Sequence, residues 1–297
     1  MEPDTLTATQ YHHLTSYQRN KMSGHFLDWE NQPTLYKGYP QAESVPLPRD
    51  AEDPGKKLSQ VLKEGSPETE ARVPDRSDLS TIFSLAYGIT AKARHGGGNF
   101  YFRSAASAGA LYPTEIYVAA KGVKGLEDGL YHFSVADHSL FRLRKGDLTS
   151  SIADALRPTP RRSPLLTFFL SAIFFRSAWK YRERSYRYHL LDTGHVAENL
   201  IVALNALGLP SVLSYDFDDH SLYRLLGLDD LKEVCLGVCY VPGKEPIEKS
   251  MGSDLNDLSE DTISASRVAD REIDYPAISK IHKAGAPCVT QPGPAPS

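Results

Sequence analysis

Cysteine is scarce in this chain of 297 residues, which contains three: Cys235, Cys239 and Cys288. Three cysteines do not make the paired framework of a disulfide-stabilised secreted domain, and their spacing does not match a zinc site. Cys235 and Cys239 are four residues apart in a strand-like run, which predicts two buried thiols on one face, about 13 Å apart and too far to bridge. We therefore expect free thiols in a reducing, cytoplasmic compartment.

Long apolar runs and an excess of positive charge are also missing. The longest apolar run, Leu165–Phe175, is too short to span a bilayer as a helix. The first residues lack the basic region and apolar core of a signal peptide. The net charge of −4 argues against a nucleic-acid surface as the main function. The sequence therefore predicts a soluble cytoplasmic protein that binds neither membrane nor nucleic acid.

Signatures of several enzyme classes are absent as well. Gly96, Gly97 and Gly98 precede no Lys-Ser/Thr pair, no G-x-G-x-x-G follows a strand, and no G-x-S-x-G elbow occurs. Histidine, cysteine and acidic residues show no metal-ligand spacing. We therefore expect no nucleoside triphosphate site, no metal site and no hydrolase triad, and we interpret the glycine stretch as a flexible loop.

Hydrophobic patterning divides the chain into a polar arm at residues 1–72, a densely patterned domain at 73–245, and a C-terminal extension at 246–297 whose end should be disordered. Within the domain, helical periodicity recurs around 76–88, 147–156, 191–208 and 218–228. Strand patterns occupy the intervening segments, and Leu165–Phe175 is central because it is apolar on both faces. Because helices and strands mix without strict βαβ alternation, we predict a three-layer α+β fold.

Small residues accumulate immediately before one predicted strand, in the stretch "RSAASAGALYPTEIYVAA" at Arg103–Ala120. Small side chains allow another group to approach the backbone closely. That group could be a flat, polar-edged ring such as an isoalloxazine, with Ser104 and Ser107 reaching ring or ribityl oxygens and Arg103 reaching a phosphate. It could equally be a crossing strand, and the residues alone leave both interpretations open.

The basic run "KYRERSYRYH" is a second candidate, because Lys180 and Tyr181 follow the central strand closely. An amine and a phenol at the end of such a strand, partly removed from water, can supply an acid or a base near neutral pH. The alternative is a solvated basic turn, which is the more frequent meaning of such a run taken alone.

The stretch "SAASAGALYPTEIYVAA" resembles the P-S-A-G-A-L-Y-P-x-E-x-Y-V signature of the SagB-type dehydrogenase branch of the nitroreductase-like flavoproteins, with Ala106 in place of the proline. The segments "LSTIFSLAYGIT" and "DGLYHFSVADHSLFRLR", and the long run from "LLDTGHVAENL" to "LYRLLGL", are similar to other segments of that family. Lys180–Tyr181 coincides with the pair implicated there in azoline dehydrogenation. The resemblance covers roughly Val73–Gly243.

This resemblance implies a nitroreductase-like three-layer sandwich with a central mixed sheet, built as an intertwined homodimer that binds FMN at its interface. Lys180 and Tyr181 would act on the substrate, one of them removing or donating a proton while hydride moves to the flavin. One subunit would line the flavin with Ser104, Ser107, Ala108, Gly109 and Leu111, and the other with backbone groups of Tyr215, Asp216 and Phe217.

The phosphate end of the predicted FMN site departs from the family pattern. Many relatives carry R-R-S-x-R before the first core helix, whereas only Arg72 and Arg76 stand near that position here. Arg103 and Lys244 are therefore considered as substitutes. The ring-binding stretch is intact, so we still expect FMN.

The leading hypothesis is an FMN-dependent oxidoreductase that oxidises a peptide-borne thiazoline or oxazoline to the azole. Two alternatives remain open: an NAD(P)H-dependent reductase of nitroaromatics or quinones, and a non-catalytic binding protein with the same fold. The arm at residues 1–72 could wrap the partner subunit or cap the active site, and its polarity favours the former.

Overall fold

The computed structural model describes residues 6–17, 25–50, 53–67, 70–95, 98–247 and 255–286. The predicted disordered tail, Cys288, Gly96 and Gly97 lie outside the described residues. The described helices are α1 (Ala8–Thr15), α2 (Leu58–Glu64), α3 (Arg76–Tyr87), α4 (Thr149–Ala155), α5 (Phe174–Tyr181), α6 (Ser185–Ala206), α7 (Asp219–Leu226), α8 (Glu260–Ser264) and α9 (Pro276–Gly285). The described strands are β1 (Glu43–Pro46), β2 (Ile89–His95), β3 (Gly98–Arg103), β4 (Thr114–Ala120), β5 (Gly129–Ser134), β6 (Ser139–Lys145), β7 (Arg162–Ile173), β8 (Val212–Ser214) and β9 (Glu233–Pro246).

Seven strands form one central sheet in the order β1–β6–β5–β4–β7–β9–β8. The predicted position of β7 is confirmed, because it pairs with β4 on one side and β9 on the other. Every ladder between these seven strands is antiparallel, so the prediction of a mixed sheet is wrong. Ile173 at the end of β7 faces Glu233 at the start of β9. The intervening helices therefore return the chain to the end that it left, which makes β9 antiparallel to β7.

Helices cover both faces of this sheet and complete the predicted three layers. On one face, α3 and α6 contribute Phe83 and Leu200 to a large apolar core. On the other face, α4 and α7 contribute Ile152 and Leu222 to a second core. Burial of both faces explains why β7 reads as a continuous apolar run rather than an alternating one.

Two local features differ from the sequence-based expectation. The residue types at the start of α3 predict Ser77 or Asp78 as its cap, but the observed cap is Asp75, which accepts the backbone N–H groups of Ser77 and Asp78. Asp78 instead closes a capping box by accepting the N–H of Asp75. The stretch around the glycines contains an antiparallel hairpin of β2 and β3, which alternation did not reveal because most of its side chains are exposed.

The two described cysteines are buried and free, as predicted, but they lie on opposite faces of the sheet. Leu170 pairs with Gly237 while its neighbour Ser171 pairs with Cys235, so Leu236 is an extra residue in β9. This bulge shifts the alternation of side chains by one position between Cys235 and Cys239. The predicted common face is therefore wrong.

The described part of the N-terminal arm packs onto its own subunit. β1 forms the edge of the sheet next to β6. Lys37 forms an ion pair with Glu233 in which both side chains are fully buried, and its Nζ donates to Tyr117 Oη at 2.7 Å. The arm therefore contributes both a strand and a buried charge to the domain that follows it.

A second buried ion pair joins α5 to β4. Arg176 Nη1 lies 2.5 Å from Glu115 Oε1 and donates to the Tyr112 carbonyl at 3.0 Å, and Arg176 Nε donates to the Thr34 carbonyl at 2.9 Å. His132 Nε2 lies 2.8 Å from the other oxygen of Glu115. Burial alone would raise the pKa of Glu115, but Arg176 and His132 hold it at about 2.

We expect Glu115→Gln to lower the free energy of unfolding by about 3–5 kcal/mol, because Arg176 then keeps a buried charge without its counter-ion. Urea denaturation at neutral pH measures this loss. Glu127→Gln is the control, since Glu127 pairs with Arg142 while its own side chain is 76% exposed, and it should cost less than about 1 kcal/mol. Equal losses in the two variants would contradict the assignment.

The same ion pair predicts an acid-sensitive part of the stability. The pKa of Glu115 is lower in the folded chain than its ordinary value of 4.5. Its stabilising contribution is therefore complete above about pH 4.5 and is lost as the pH falls towards about 2. Over that interval the wild-type protein should lose more stability than Glu115→Gln, as measured by urea denaturation at each pH.

Candidate functional site

A tightly turned loop, Ser107–Tyr112, precedes β4 and is called the ledge here. Gly109, Ala110 and Tyr112 adopt φ angles of 66°, 54° and 47°. For residues with a Cβ atom this left-handed conformation costs about 1–2 kcal/mol each. The ledge therefore carries backbone strain that contacts from outside the loop must offset, and such strain collects at functional sites.

Lys180 and Tyr181 meet the ledge at Gly109. They lie in the last turn of α5, which starts directly after β7. A Cβ atom built on Gly109 would lie 2.8 Å from Tyr181 Oη and 3.0 Å from Lys180 Nζ. Only a residue without a side chain allows both groups to approach the backbone this closely. The structure thus brings together the two features that the sequence presented separately.

Sheet register explains this meeting. Thr114 at the start of β4 pairs with Ala172 near the end of β7. The ledge before β4 and the helix after β7 consequently leave the sheet at the same end, from neighbouring strands. Lys180 and Tyr181 were predicted at the end of the central strand, with a solvated basic turn as the alternative, and the structure places them in the last turn of α5, two helical turns beyond β7.

The surroundings of Tyr181 favour its protonated form. Lys180 Nζ lies 5.4 Å from the centre of the Tyr181 ring. The Tyr188 ring packs against the Tyr181 ring at a centroid distance of 4.5 Å. Burial raises the pKa of Tyr181, and the neighbouring Tyr188, Tyr17 and Asp192 raise it further. Tyr181 therefore keeps its proton at neutral pH, next to an amine that carries a positive charge when protonated.

Asp192 of α6 also belongs to this site, and sequence reasoning missed it. Its side chain is buried, and it accepts hydrogen bonds from Ser107 Oγ at 2.6 Å and from the Ala108 N–H at 3.1 Å. Burial raises the pKa of Asp192, while the bonds from Ser107 and Ala108 oppose that rise. A signal was present, because Asp192 lies four residues before Val196 on the apolar stripe of the helix, where a charge is unexpected.

Ser104 and Arg103 stand at the entrance to the ledge. Ser104 Oγ is buried and has no hydrogen-bond partner among the described residues. Arg103 is buried, donates to the Leu35 carbonyl at 2.6 Å, and lies within 5.4 Å of three tyrosine ring centres. Its guanidinium thus points into its own subunit, which does not favour the predicted phosphate contact, although Nη1 has no hydrogen-bond partner among the described residues.

The turn Tyr215–Phe217 lies at the same end of the sheet but at its far edge. It follows β8, which is three strands away from β4, or about 14 Å at the usual strand spacing. Tyr215 is 64% exposed, whereas Phe217 is buried in the core beneath α4 and α7. The ledge and this turn therefore leave the sheet from different strands, and the contact of the turn with FMN stays a prediction.

The cations considered for a phosphate already have partners in the chain. Arg72 binds both oxygens of Asp78, at 2.6 and 2.5 Å. Arg76 donates to the Pro46 carbonyl. Lys244 Nζ lies 3.5 Å from a carboxylate oxygen of Glu70 in an exposed pair, which makes it the most readily released of the three.

The described ranges contain neither a candidate metal site nor a candidate membrane-spanning helix. No cluster of three or more His, Cys, Asp or Glu side chains there could hold a metal ion. None of the helices in that part of the chain has the length and apolar character needed to cross a membrane.

Comparison with known sequences identifies relatives. The model of the nitroreductase family matches residues 69–244. A predicted nitroreductase of Methanocaldococcus jannaschii is 30% identical over 154 residues, which cover 52% of this chain and 74% of that protein. The trifolitoxin-processing protein TfxB of Rhizobium leguminosarum bv. trifolii is 29% identical over 185 residues, which cover 58% of this chain and 49% of TfxB.

Comparison with solved structures identifies the same fold. A predicted nitroreductase from Anabaena variabilis superposes with a TM-score of 0.68 at 25% identity, covering 95% of this chain and 55% of the other. A chain of the E. coli microcin synthetase McbBCD complex with truncated pro-MccB17 bound gives 0.50 at 20% identity, covering 62% and 68%, and this likeness shows the fold alone. The chain thus spans about half the length of TfxB and of the Anabaena protein.

Proposed function

The chain belongs to the nitroreductase family of oxidoreductases, and from this premise we propose that it is an FMN-dependent dehydrogenase of the SagB type, oxidising a thiazoline or oxazoline in a peptide to the azole. The observation that carries the proposal is the meeting of Lys180 and Tyr181 at Gly109. An amine and a phenol converge there on a backbone position that carries no side chain. The relative named for trifolitoxin processing supports a processing role.

The residues of the ledge fit FMN. Gly109 leaves the backbone bare, and Ser104 Oγ and Arg103 Nη1 are buried polar atoms without a hydrogen-bond partner among the described residues. A planar ring with polar edges could lie against the bare backbone and could offer hydrogen-bond partners to the two polar atoms. When bound, FMN supplies a two-electron acceptor for hydride. We expect it to be held by Ser104, Ser107, Ala108, Gly109 and Leu111.

Proton transfer in this reaction falls to the pair at the end of α5. Converting an azoline to an azole removes one proton and one hydride from adjacent ring carbons. The raised pKa of Tyr181 keeps its proton in place, so its Oη can donate a hydrogen bond to the substrate. The amine of Lys180 is then the group that we propose as the general base for the substrate proton.

We propose that the protein acts as a homodimer. In one chain the turn Tyr215–Phe217 follows β8 at the far edge of the sheet, three strands from β4 and its ledge. On α6, Leu190 and Leu191 are 49% and 60% exposed, as expected of side chains that a second subunit covers. Pairing two chains through this face would bury these leucines and offer the turn to the partner's ledge.

A reductase that uses NAD(P)H is the second candidate. It is favoured by the Methanocaldococcus relative, which is described as a nitroreductase and of which the matched region covers 74%. Such an enzyme would use the same ledge and the same cofactor. NAD(P)H would reduce the flavin, and the reduced flavin would pass its electrons to the substrate. Lys180 and Tyr181 would then have no necessary role.

We expect the purified protein to take up FMN. After incubation with FMN and gel filtration, the protein fraction should keep a visible flavin absorbance band and should elute at the size of a dimer. A protein that neither contains flavin nor retains added FMN would contradict the proposal, whatever its other activities.

Gly109→Ala should abolish much of the activity without an unusual loss of stability. Gly122→Ala is the matched control, because both glycines have φ near 65° but a Cβ at Gly122 would meet open space. Each substitution should cost about 1–2 kcal/mol of unfolding free energy. Only Gly109→Ala displaces Lys180 and Tyr181, and a shift of about 1 Å there can cost about 100-fold in turnover. Similar turnover in the two variants would argue against a site at Gly109.

Lys180→Ala and Tyr181→Phe separate the candidate functions. If the protein is an azoline dehydrogenase, both variants should retain FMN, and Lys180→Ala should oxidise a synthetic thiazoline peptide about 100- to 10,000-fold more slowly than wild type. Stopped-flow mixing with NADPH is the complementary measurement. Rapid flavin bleaching that both variants preserve, together with no azoline oxidation by wild type, would favour the reductase.

A further inference from the structure

Asp192 is a buried charge in α6, four residues before the apolar stripe of that helix, and it contacts the ledge. We propose that Asp192 is a positioning residue that holds the ledge in register with Lys180 and Tyr181 for the reaction. The catalytic part of this inference rests on the function proposed above, whereas the structural part stands on the contacts of Asp192 itself.

One carboxylate fixes both ends of the ledge. Asp192 Oδ2 accepts from Ser107 Oγ at 2.6 Å, and the Ala108 N–H is shared between the two carboxylate oxygens at 3.1 and 3.2 Å. Ser107 Oγ in turn accepts the Tyr112 N–H at 2.8 Å. Ala108 is therefore held directly, and Tyr112 is held through the Ser107 hydroxyl.

The ledge needs such a hold because its backbone is strained. Ala110 and Tyr112 have Cβ atoms at φ angles of 54° and 47°. Residues with a Cβ atom rarely adopt such conformations, which persist only where their surroundings impose them. Without the carboxylate, the loop would relax and Gly109 would move relative to Lys180 and Tyr181.

The charge of Asp192 also acts on the neighbouring phenols. It faces Tyr181 of α5 and Tyr87 of α3, and adds to burial in raising the pKa of each. The other charged or titratable groups that face Asp192 or Tyr181 are His195, Lys180, Tyr188 and Tyr17. Removing the Asp192 charge should therefore lower the pKa of Tyr181, whereas a merely structural role would not move it.

Hydrogen exchange tests the structural part on the flavin-free protein. In Asp192→Ala the amides of Ala108 and Tyr112 should exchange about tenfold or more faster, since a hydrogen bond to a charged group is lost. Asp192→Asn should restore much of the protection, because its amide oxygen still accepts the Ala108 N–H. Asp154→Asn makes the same chemical change at an exposed site on α4 and should alter nothing at the ledge.

Activity on a thiazoline peptide tests the catalytic part in the FMN-loaded protein. Asp192→Ala should lose about tenfold or more in turnover, Asp192→Asn should recover part of it, and the alkaline limb of the Asp192→Asn pH profile should move to lower pH. Ser107→Ala, which breaks the link to Tyr112, replaces Asp192→Ala if that variant does not fold.

Two results would overturn the inference. Unchanged exchange at Ala108 and Tyr112 in the variants would refute the hold on the ledge. Faster exchange with unchanged turnover and an unchanged pH profile would reduce Asp192 to a structural residue and refute its positioning role. If wild type takes up no flavin, the proposed function fails by itself, and hydrogen exchange still decides whether Asp192 holds the ledge.

Discussion

The buried guanidinium of Arg176 is the constraint on which the site depends. An arginine cannot shed its charge inside a protein, so its burial requires a counter-ion and hydrogen-bond acceptors. Those acceptors come from Glu115 in β4, from the carbonyl of Tyr112 at the end of the ledge, and from the carbonyl of Thr34 in the N-terminal arm. Because Lys180 follows Arg176 by one helical turn, satisfying this charge also sets the end of α5 against the ledge.

Gly109 illustrates how far the sequence could lead. Its small neighbours indicated that something approaches the backbone closely, and a crossing strand and a flat ring were equally compatible with that pattern. In the folded chain the closest groups are the tips of Lys180 and Tyr181, which are side chains on flexible stems. The missing Cβ therefore leaves space for the two polar groups. Because these side chains are flexible, they can move aside for a flat ring more easily than a packed strand could.

Features that repeat along the chain were predictable, and features that depend on contact across the fold were not. The helical stripe of α6 and the apolar run of β7 follow from periodicity, because burial selects the side chains in each. The bulge at Leu236 changes which face Cys235 occupies, yet it inserts one residue without leaving a local signal. Asp192 places a charge in line with the apolar stripe of α6, which the sequence shows. Its partners Ser107 and Ala108, however, lie more than 80 residues away in sequence. The FMN contacts, resting on resemblance alone, stay predictions.

Besides accepting a hydrogen bond from Arg176, the N-terminal arm contacts the last turn of α5. His25 Nε2 lies 3.0 Å from the Lys180 carbonyl, and the Asp28 carbonyl accepts from the Trp179 indole at 2.9 Å while Trp29 packs edge-on against the same indole. The end of α5 is thus fixed from the interior by a charge and from outside by the arm. These contacts place the arm beside Lys180 in its own chain, and its role towards a partner subunit stays a prediction. Since the family match starts at residue 69, the part of the arm that contacts the end of α5 lies outside the matched family domain.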